Sequence, residues 1–139
     1  MILGVGIDLV EIKRMERWAN FQNSSLLKIF SDQELADCTN KASILVLEKL
    51  ASRFAAKEAF YKALSAALVK LGKTDQTFSL LFTCQNVQII TASFDVPALQ
   101  INWTGFEGKI KCTLPQIYAD VSLSHEESVA AAVVILSAK

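Results

Sequence analysis

The segment RFAAKEAFYKAL, Arg53–Leu64, carries the most regular pattern in this chain. A helix of about 3.6 residues per turn brings its apolar residues into line with others before and after it. The resulting stripe consists of Leu47, Leu50, Ala51, Phe54, Tyr61 and Leu68. Glu58 falls within this stripe rather than opposite it, so a carboxylate occupies a position where a core residue is expected.

An ionised side chain such as that of Glu58 is costly on a buried face unless a cation or a hydrogen-bond donor meets it. One edge of the stripe carries Lys49, Arg53 and Lys57 at intervals of four residues. The other edge carries Lys62, one turn beyond Glu58. Glu58 is then either a metal ligand among phosphate-binding cations, since Mg²⁺ prefers carboxylates plus substrate phosphates, or half of an intrahelical ion pair with Lys62.

Length and composition limit the classes of protein to which the chain can belong. Its 139 residues fit one domain with a real core, and we predict a single domain over residues 1–139. The 14 basic and 14 acidic side chains balance, which argues against a general nucleic-acid binder. Three widely spaced cysteines without a paired motif indicate reduced thiols in a cytoplasmic protein. The apolar start, broken by Asp8, and a longest later apolar run of eight residues predict neither a signal peptide nor a membrane span.

Residues 2–12, ILGVGIDLVEI, alternate with the period of a β-strand. One face carries apolar side chains, and the other carries Gly4, Gly6 and Asp8. The two glycines leave the backbone of their face open to close approach by another group, which makes Asp8 a candidate metal or ligand position. A strand-end or turn aspartate is the alternative.

A short helix is predicted over Lys13–Phe21, and its outward face is basic. Lys13, Arg14 and Arg17 cluster there, immediately after Asp8 in the sequence. This face is either a solvated helix surface or a docking surface for an acidic partner.

Further along the chain, Ser31 and Glu34 have capping-box spacing and predict a brief helix through Cys38. The central helix is expected from about Ser43 to Leu71. Strands are predicted where β-branched and aromatic residues concentrate, at 78–82, 87–92, 98–103, 109–114, 119–123 and 129–136, with a turn at Gly105 and Gly108. Helices followed by strands imply an α+β domain.

The only histidine, His125, lies between two of these strand segments, and no neighbouring Asp or Cys gives it a triad. It belongs, however, to the last of three notable segments, GIDLVEIKR at 6–14, RFAAKEAFYKAL at 53–64 and SLSHEESVAAAVV at 122–134. Together they contain an N-terminal GxD, a central FxxKExxxK and a C-terminal SHxxxxAxA. In this order and at these separations, the segments resemble the holo-[acyl-carrier-protein] synthase family, the small 4′-phosphopantetheinyl transferases.

The resemblance implies transfer of 4′-phosphopantetheine from coenzyme A to a serine of apo acyl carrier protein, as in fatty acid biosynthesis, with release of adenosine 3′,5′-bisphosphate. It implies that Asp8 and Glu58 hold Mg²⁺ against the diphosphate of coenzyme A. These two carboxylates and Lys62 are then the predicted catalytic residues. The general base is unassigned, because a metal-held carboxylate is a poor base.

The same resemblance assigns roles to the cations. Lys57 and Lys62 would contact phosphate oxygens, and Lys62 would also stabilise the leaving group. Arg53 and His125 would contact coenzyme A. Because carrier proteins of this class are acidic, the basic face formed by residues 13, 14 and 17 is predicted to dock the acyl carrier protein.

The family fold implied is one long central helix packed on a mainly antiparallel sheet, and the family is typically trimeric with sites at subunit interfaces. We therefore expect a homotrimer, with no nucleic-acid or membrane partner. A loop of the family with a GxP pattern approaches the nucleotide end of coenzyme A. Here Pro97 is kept, but Asp95 replaces the usual Gly and Val96 a common Lys. The contacts to the 3′-phosphate are therefore not carried over.

Two other functions use the same residues differently. A Mg²⁺-dependent hydrolase of nucleotide diphosphates would employ both carboxylates with water as the nucleophile. A non-catalytic module that binds coenzyme A or a partner protein would need only the basic helix, with the carboxylates in ion pairs. Transfer of one phosphopantetheinyl unit to apo carrier protein separates all three.

Overall fold

The structure is a computed structural model that describes residues 1–75 and 77–139. The first half contains β1 (Ile2–Glu11), α1 (Arg14–Ala19), α2 (Asn23–Leu26), α3 (Asp32–Asp37) and α4 (Leu47–Lys70). The second half contains α5 (Leu80–Asn86), β2 (Val87–Thr91), a 3₁₀ turn at Ser93–Asp95, β3 (Pro97–Ile101), α6 (Trp103–Ile110), β4 (Tyr118–His125) and β5 (Val129–Ser137). The α+β class is confirmed.

Two antiparallel sheets surround the long helix α4. Three strands form one sheet in the order β1-β5-β4, and β2 and β3 form a hairpin. In the larger sheet, Asp8 of β1 lies opposite Ala132 of β5, which lies opposite Leu123 of β4. Because β5 is the central strand, the free edge of β1 lies on the far side from β4. The predicted arrangement of one long helix on a mainly antiparallel sheet is confirmed.

The inward face of β1 lies unusually close to α4. A Cβ atom added to Gly4 would stand 2.1 Å from the carbonyl oxygen of Ala63, and one added to Gly6 would stand 1.9 Å from that of Ala59. The two glycines are therefore required because the helix backbone itself fills the space. This close approach places Asp8, two residues further along the same face, against the side of α4.

The core surrounds α4 on more than one side. The predicted apolar stripe is correct at Leu50 and Phe54, which are buried, but burial also extends to Lys57, Phe60 and Leu64. The additional cover comes from an aromatic cluster contributed by α4, α5, α6 and the segment before α5, namely Phe60, Phe78, Phe82, Trp103 and Phe106. A single stripe thus underestimates how much of this helix is interior.

The strand predicted at residues 2–12 and four of the six predicted further along are confirmed, whereas those at 78–82 and 109–114 are wrong. Helix α5 begins after Ser79, whose side chain accepts a hydrogen bond from the backbone N–H of Phe82. Helix α6 begins after Asn102, which caps the N–H of Gly105 in the same way. The capping side chains therefore determine these helices, and the predicted turn at 105 and 108 lies inside α6.

Candidate active site

Asp8 and Glu58 face each other across the contact between β1 and α4. Asp8 is buried, and Glu58 is half-buried on the helix. The pKa of Glu58 is raised to about 7, first by burial and then by hydrogen bonding to Asp8 and by its negative charge. The charges of Arg14 and Lys62 oppose this rise. The pattern indicates two carboxyl groups that lack enough positive charge for both to ionise easily.

Lys62 bonds to Asp8 rather than to Glu58. Its Nζ donates to Oδ1 of Asp8 at 2.7 Å and to the backbone carbonyl oxygen of Ile7 at 3.0 Å. The ion pair between Lys62 and Glu58, one of the two interpretations of the sequence, is therefore replaced by one that reaches across to the strand. The other oxygen of Asp8, Oδ2, is buried and accepts no hydrogen bond from an N–H or hydroxyl group, because the bond between Asp8 and Glu58 forms only when Glu58 carries a proton. An oxygen of this kind is available to a cation.

The donor set suits one kind of metal better than others. In the described part of the chain, no three His, Cys, Asp or Glu side chains gather as a closed metal site. Zinc sites need three or four such ligands, whereas Mg²⁺ accepts one or two carboxylates together with water and substrate phosphates. Asp8, with its unpaired Oδ2, and Glu58 therefore fit Mg²⁺ next to a phosphorylated substrate.

The basic face of α1 borders this carboxylate pair. Lys13, Arg14 and Arg17 are all exposed, and the charge of Arg14 is close enough to lower the pKa of Glu58. The guanidinium carbon of Arg14 also lies 6.0 Å from the centre of the Phe54 ring. A partner bound to this face would thus stand beside the carboxylates.

Lys57 does not face the site, and the prediction that it contacts phosphate is wrong for this arrangement. Its side chain is fully buried. Nζ donates to the carbonyl oxygens of Ile29 and Cys84 at 2.7 and 2.8 Å and to Oε1 of Glu34 at 2.7 Å. Because an ammonium has three protons, none is left for a ligand.

Glu34 is the residue whose importance the sequence did not show. Its capping box with Ser31 is confirmed, but the same carboxylate also pairs with Lys57 and accepts the backbone N–H of Ile89 at 3.1 Å. The capping box gave Glu34 a sufficient local role in the sequence. It therefore did not reveal the buried contacts to Lys57 and Ile89, which lie 23 and 55 positions further along the chain.

Arg53 lines a cavity of about 520 Å³ on the side of α4 facing the β2–β3 hairpin. Its guanidinium is poorly satisfied: Nη2 lies 3.9 Å from Oδ2 of Asp37, Nη1 is 3.4 Å from the carbonyl oxygen of Lys49, and Nε is buried without a partner. Asp95 also lines this cavity and takes a left-handed φ of 58°, at the position where the family pattern has Gly. The structure thus brings Arg53 to an open cavity that contains two carboxylates.

His125 ends β4 and is exposed. It lies opposite Ala130 of β5, which lies opposite Val10 of β1. Two strand spacings, about 10 Å, therefore separate it from the strand that carries Asp8. Within one chain, His125 is not part of the carboxylate site.

Comparison with known proteins identifies the family of the chain. The family model of the 4′-phosphopantetheinyl transferase superfamily, ACPS, matches residues 4–134. Holo-[acyl-carrier-protein] synthases of Geotalea daltonii and Treponema denticola are 33% and 35% identical to the chain, with 98% of each chain covered in both alignments.

Solved structures give the same relation. The ACPS–CoA complex of Chronobacterium ammoniagenes aligns with a TM-score of 0.77 at 27% identity, covering 98% of this chain and 97% of that one. The Helicobacter pylori holo-[acyl-carrier-protein] synthase in complex with coenzyme A aligns with a TM-score of 0.68 at 27% identity, covering 96% and 99%.

The chain belongs to the 4′-phosphopantetheinyl transferase superfamily, as the family model and the fold both show. It is therefore an enzyme of the transferase class. Within the superfamily, its place is among the holo-[acyl-carrier-protein] synthases, which it matches over nearly its whole length.

Proposed function

We propose that this chain transfers the 4′-phosphopantetheine group of coenzyme A to a serine hydroxyl of apo acyl carrier protein in a Mg²⁺-dependent reaction. The serine oxygen forms a bond to the phosphorus of the phosphopantetheine. The bond from that phosphorus to the oxygen of the leaving group breaks, and adenosine 3′,5′-bisphosphate departs. The observation that carries this proposal is the approach of Glu58 to Asp8, whose buried Oδ2 is unpartnered and whose Oδ1 pairs with the half-exposed side chain of Lys62.

Each side chain of the site has a task that its position supports. Asp8 and Glu58 would hold Mg²⁺, which when bound supplies positive charge against the diphosphate. Lys62 is half-exposed beside them, and it would bind a phosphate oxygen and stabilise the leaving group. Arg53, from its cavity, and His125, at the end of β4, would contact coenzyme A. The proton of the serine leaves to a base that no described side chain identifies.

The carrier protein is the proposed partner of the basic face on α1. Lys13, Arg14 and Arg17 project into solvent, and the first of them comes two residues after the end of β1. An acidic helix docked there would bring its serine toward the carboxylates. Exposed charges of this kind mainly steer association and set its salt dependence.

A homotrimer is also part of the proposal. On the outer face of β1, the side chains of Ile2, Val5, Ile7 and Leu9 are each more than half exposed. A row of large apolar side chains on an edge strand is seldom left in water, because it favours association. Further copies of this chain would cover the row, and they would bring their own side chains near Asp8.

The setting completes the proposal. We place the enzyme in the cytoplasm, in fatty acid biosynthesis, with residues 1–139 as one transferase domain. All three cysteines are free, which agrees with a reducing compartment. Over residues 1–75 and 77–139, no helix is both long and apolar enough to span a membrane.

The test is a reaction of the purified chain with coenzyme A and apo acyl carrier protein, followed by intact-mass spectrometry. We expect the carrier to gain one phosphopantetheinyl unit with Mg²⁺ and to gain nothing with excess chelator. Release of phosphopantetheine without a carrier protein would identify a diphosphate hydrolase instead. Binding of coenzyme A with neither reaction would identify a non-catalytic module.

A further inference from the structure

Lys62 occupies a different position from the other lysines of α4, because it is bonded directly to a proposed metal ligand. Its ammonium lies 2.7 Å from Oδ1 of Asp8. The side chain of Asp8 is only 9% exposed, whereas that of Lys62 is 52% exposed. One partner of this ion pair is therefore fixed in the protein, and the other is attached by a flexible stem that lies in solvent.

An ammonium and a divalent cation compete for the same carboxylate. With Lys62 on Oδ1 and a metal ion on Oδ2, like charges would stand within a few ångströms of each other in a partly buried site. Repulsion at that distance is strong where water screens it poorly. The exposed side chain of Lys62 can swing away at little cost, because it gives up one charged contact and one backbone carbonyl.

We propose that Lys62 is an exchangeable internal cation. It neutralises Asp8 before metal binds, and it leaves Oδ1 when Mg²⁺ binds, so that its ammonium becomes free for the diphosphate of the donor. This inference rests on the proposed function, and it adds that metal and donor binding are coupled through one side chain. By reciprocity, occupation of Lys62 by phosphate would raise the affinity of Asp8 for Mg²⁺ by the same factor.

Two other lysines on α4 provide internal controls. Lys70 Nζ donates to the carbonyl oxygen of Ile2, also on β1, and this contact involves no carboxylate. Lys57 is fully buried and bonded three times. A metal ion at Asp8 and Glu58 should therefore change neither of them.

The first experiment labels the amines of the unmodified protein with an acylating reagent, with and without Mg²⁺, and locates the labels by mass spectrometry. Coenzyme A and carrier protein are omitted. We expect Mg²⁺ to raise the labelling rate of Lys62 several-fold, because release from Asp8 and from the carbonyl oxygen of Ile7 leaves its amine free to meet the reagent, while the rate at Lys70 stays constant. An unchanged or reduced rate at Lys62 would overturn the exchange.

The second experiment measures Mg²⁺ affinity by calorimetry without coenzyme A, at about pH 8, where Glu58 is largely ionised. Lys62→Met should bind Mg²⁺ up to about fivefold more tightly than the unmodified protein, the gain expected from removing one competing ion pair. Lys62→Arg and Lys70→Met should bind as the unmodified protein does.

Arg14→Met separates exchange from general charge, because Arg14 also lies near Glu58 but holds no bond to Asp8 in the structure. The proposal would be overturned if Arg14→Met gained as much Mg²⁺ affinity as Lys62→Met, or if Lys62→Met bound Mg²⁺ no more tightly than the unmodified protein. It would also be overturned if neither the unmodified protein nor Lys62→Met bound Mg²⁺. Neither experiment uses transfer activity. A protein that shows the exchange but transfers nothing would disprove the proposed function alone, and one that transfers without the exchange would disprove only this inference.

Discussion

Two lysines of α4 each pair with a carboxylate from another element at the same distance, but with different consequences. Lys57 and Glu34 are 2.7 Å apart, as are Lys62 and Asp8. In the first pair, both side chains are fully buried, and each also bonds to neighbouring backbone. In the second pair, the lysine is half-exposed and one carboxylate oxygen has no partner. The closed pair holds the structure together, whereas the open pair retains bonding capacity for a ligand.

The largest effect on transfer should come from removing the carboxylate of Asp8 or that of Glu58. We expect Asp8→Ala and Glu58→Ala each to lower transfer by at least about 10²–10³-fold, since each removes charge stabilisation at the reacting phosphate. The measurement is the initial rate of carrier modification, with circular dichroism to show that the fold is kept. Wild-type transfer in either variant would mean that the metal is not held there.

The closed pair should respond in stability rather than in chemistry. Lys57→Met leaves the carboxylate of Glu34 buried without its cation, and breaking a buried pair in this way typically costs about 3–5 kcal/mol. Lys62→Met should cost less than Lys57→Met, because the lysine of this pair is half-exposed and water can take the place of its ammonium at Asp8. Urea unfolding of both variants tests the difference. Equal losses would show that burial does not distinguish the two pairs.

The open site should also depend on pH through Glu58. Its pKa in the folded protein, about 7, lies above the value of 4.5 for an unperturbed group. The folded state therefore holds a proton more tightly, so this contribution to stability is fully present below about pH 4.5 and is lost as the pH rises through about 7. Without metal, the melting temperature of Glu58→Gln should change less between about pH 4.5 and 7 than that of the unmodified protein.

Mg²⁺ affinity should depend on pH in the opposite direction, through the same carboxyl group of Glu58. Because the ion needs the ionised carboxylate, its affinity should fall as the pH drops below about 7. Calorimetric titration on either side of that pH measures the change. An affinity that stays constant over this interval would place the metal away from Glu58.

The smallest effect should appear on the docking face. Lys13→Glu combined with Arg17→Glu removes rim charges worth about 1 kcal/mol or less each, so KM for the carrier should rise several-fold and its salt dependence should weaken. Arg14 is left in place because its charge reaches Glu58. KM for coenzyme A is the control. Unchanged salt dependence would place carrier docking on another surface.

The sequence was sufficient for the features that depend on local periodicity. The two faces of β1, the capping box at Ser31 and the central helix follow from patterns within a few residues, and the structure has them. Glu58 was recognisable because a carboxylate within an apolar stripe is anomalous. Its approach to Asp8 depended on the family motif, because no local pattern relates positions 8 and 58.

The mistakes arose where distant contacts decide the outcome. Lys57 looks like an exposed cation beside Glu58, but the groups that bury it come from positions 29, 34 and 84. Helices α5 and α6 are short and rich in aromatic side chains, so composition favoured strands. Their identity depends on the caps at Ser79 and Asn102 and on packing around Phe106.

The glycines of β1 set the gap across which the two carboxylates meet. Neither Gly4 nor Gly6 requires a positive φ, so what matters is the hydrogen atom that each carries in place of a methyl group. A single carbon at position 6 would push strand and helix apart, since it would collide with the carbonyl oxygen of Ala59, one residue beyond Glu58. The distance between β1 and α4, and with it the distance between Asp8 and Glu58, thus depends on two residues that have no role in binding metal, donor or carrier.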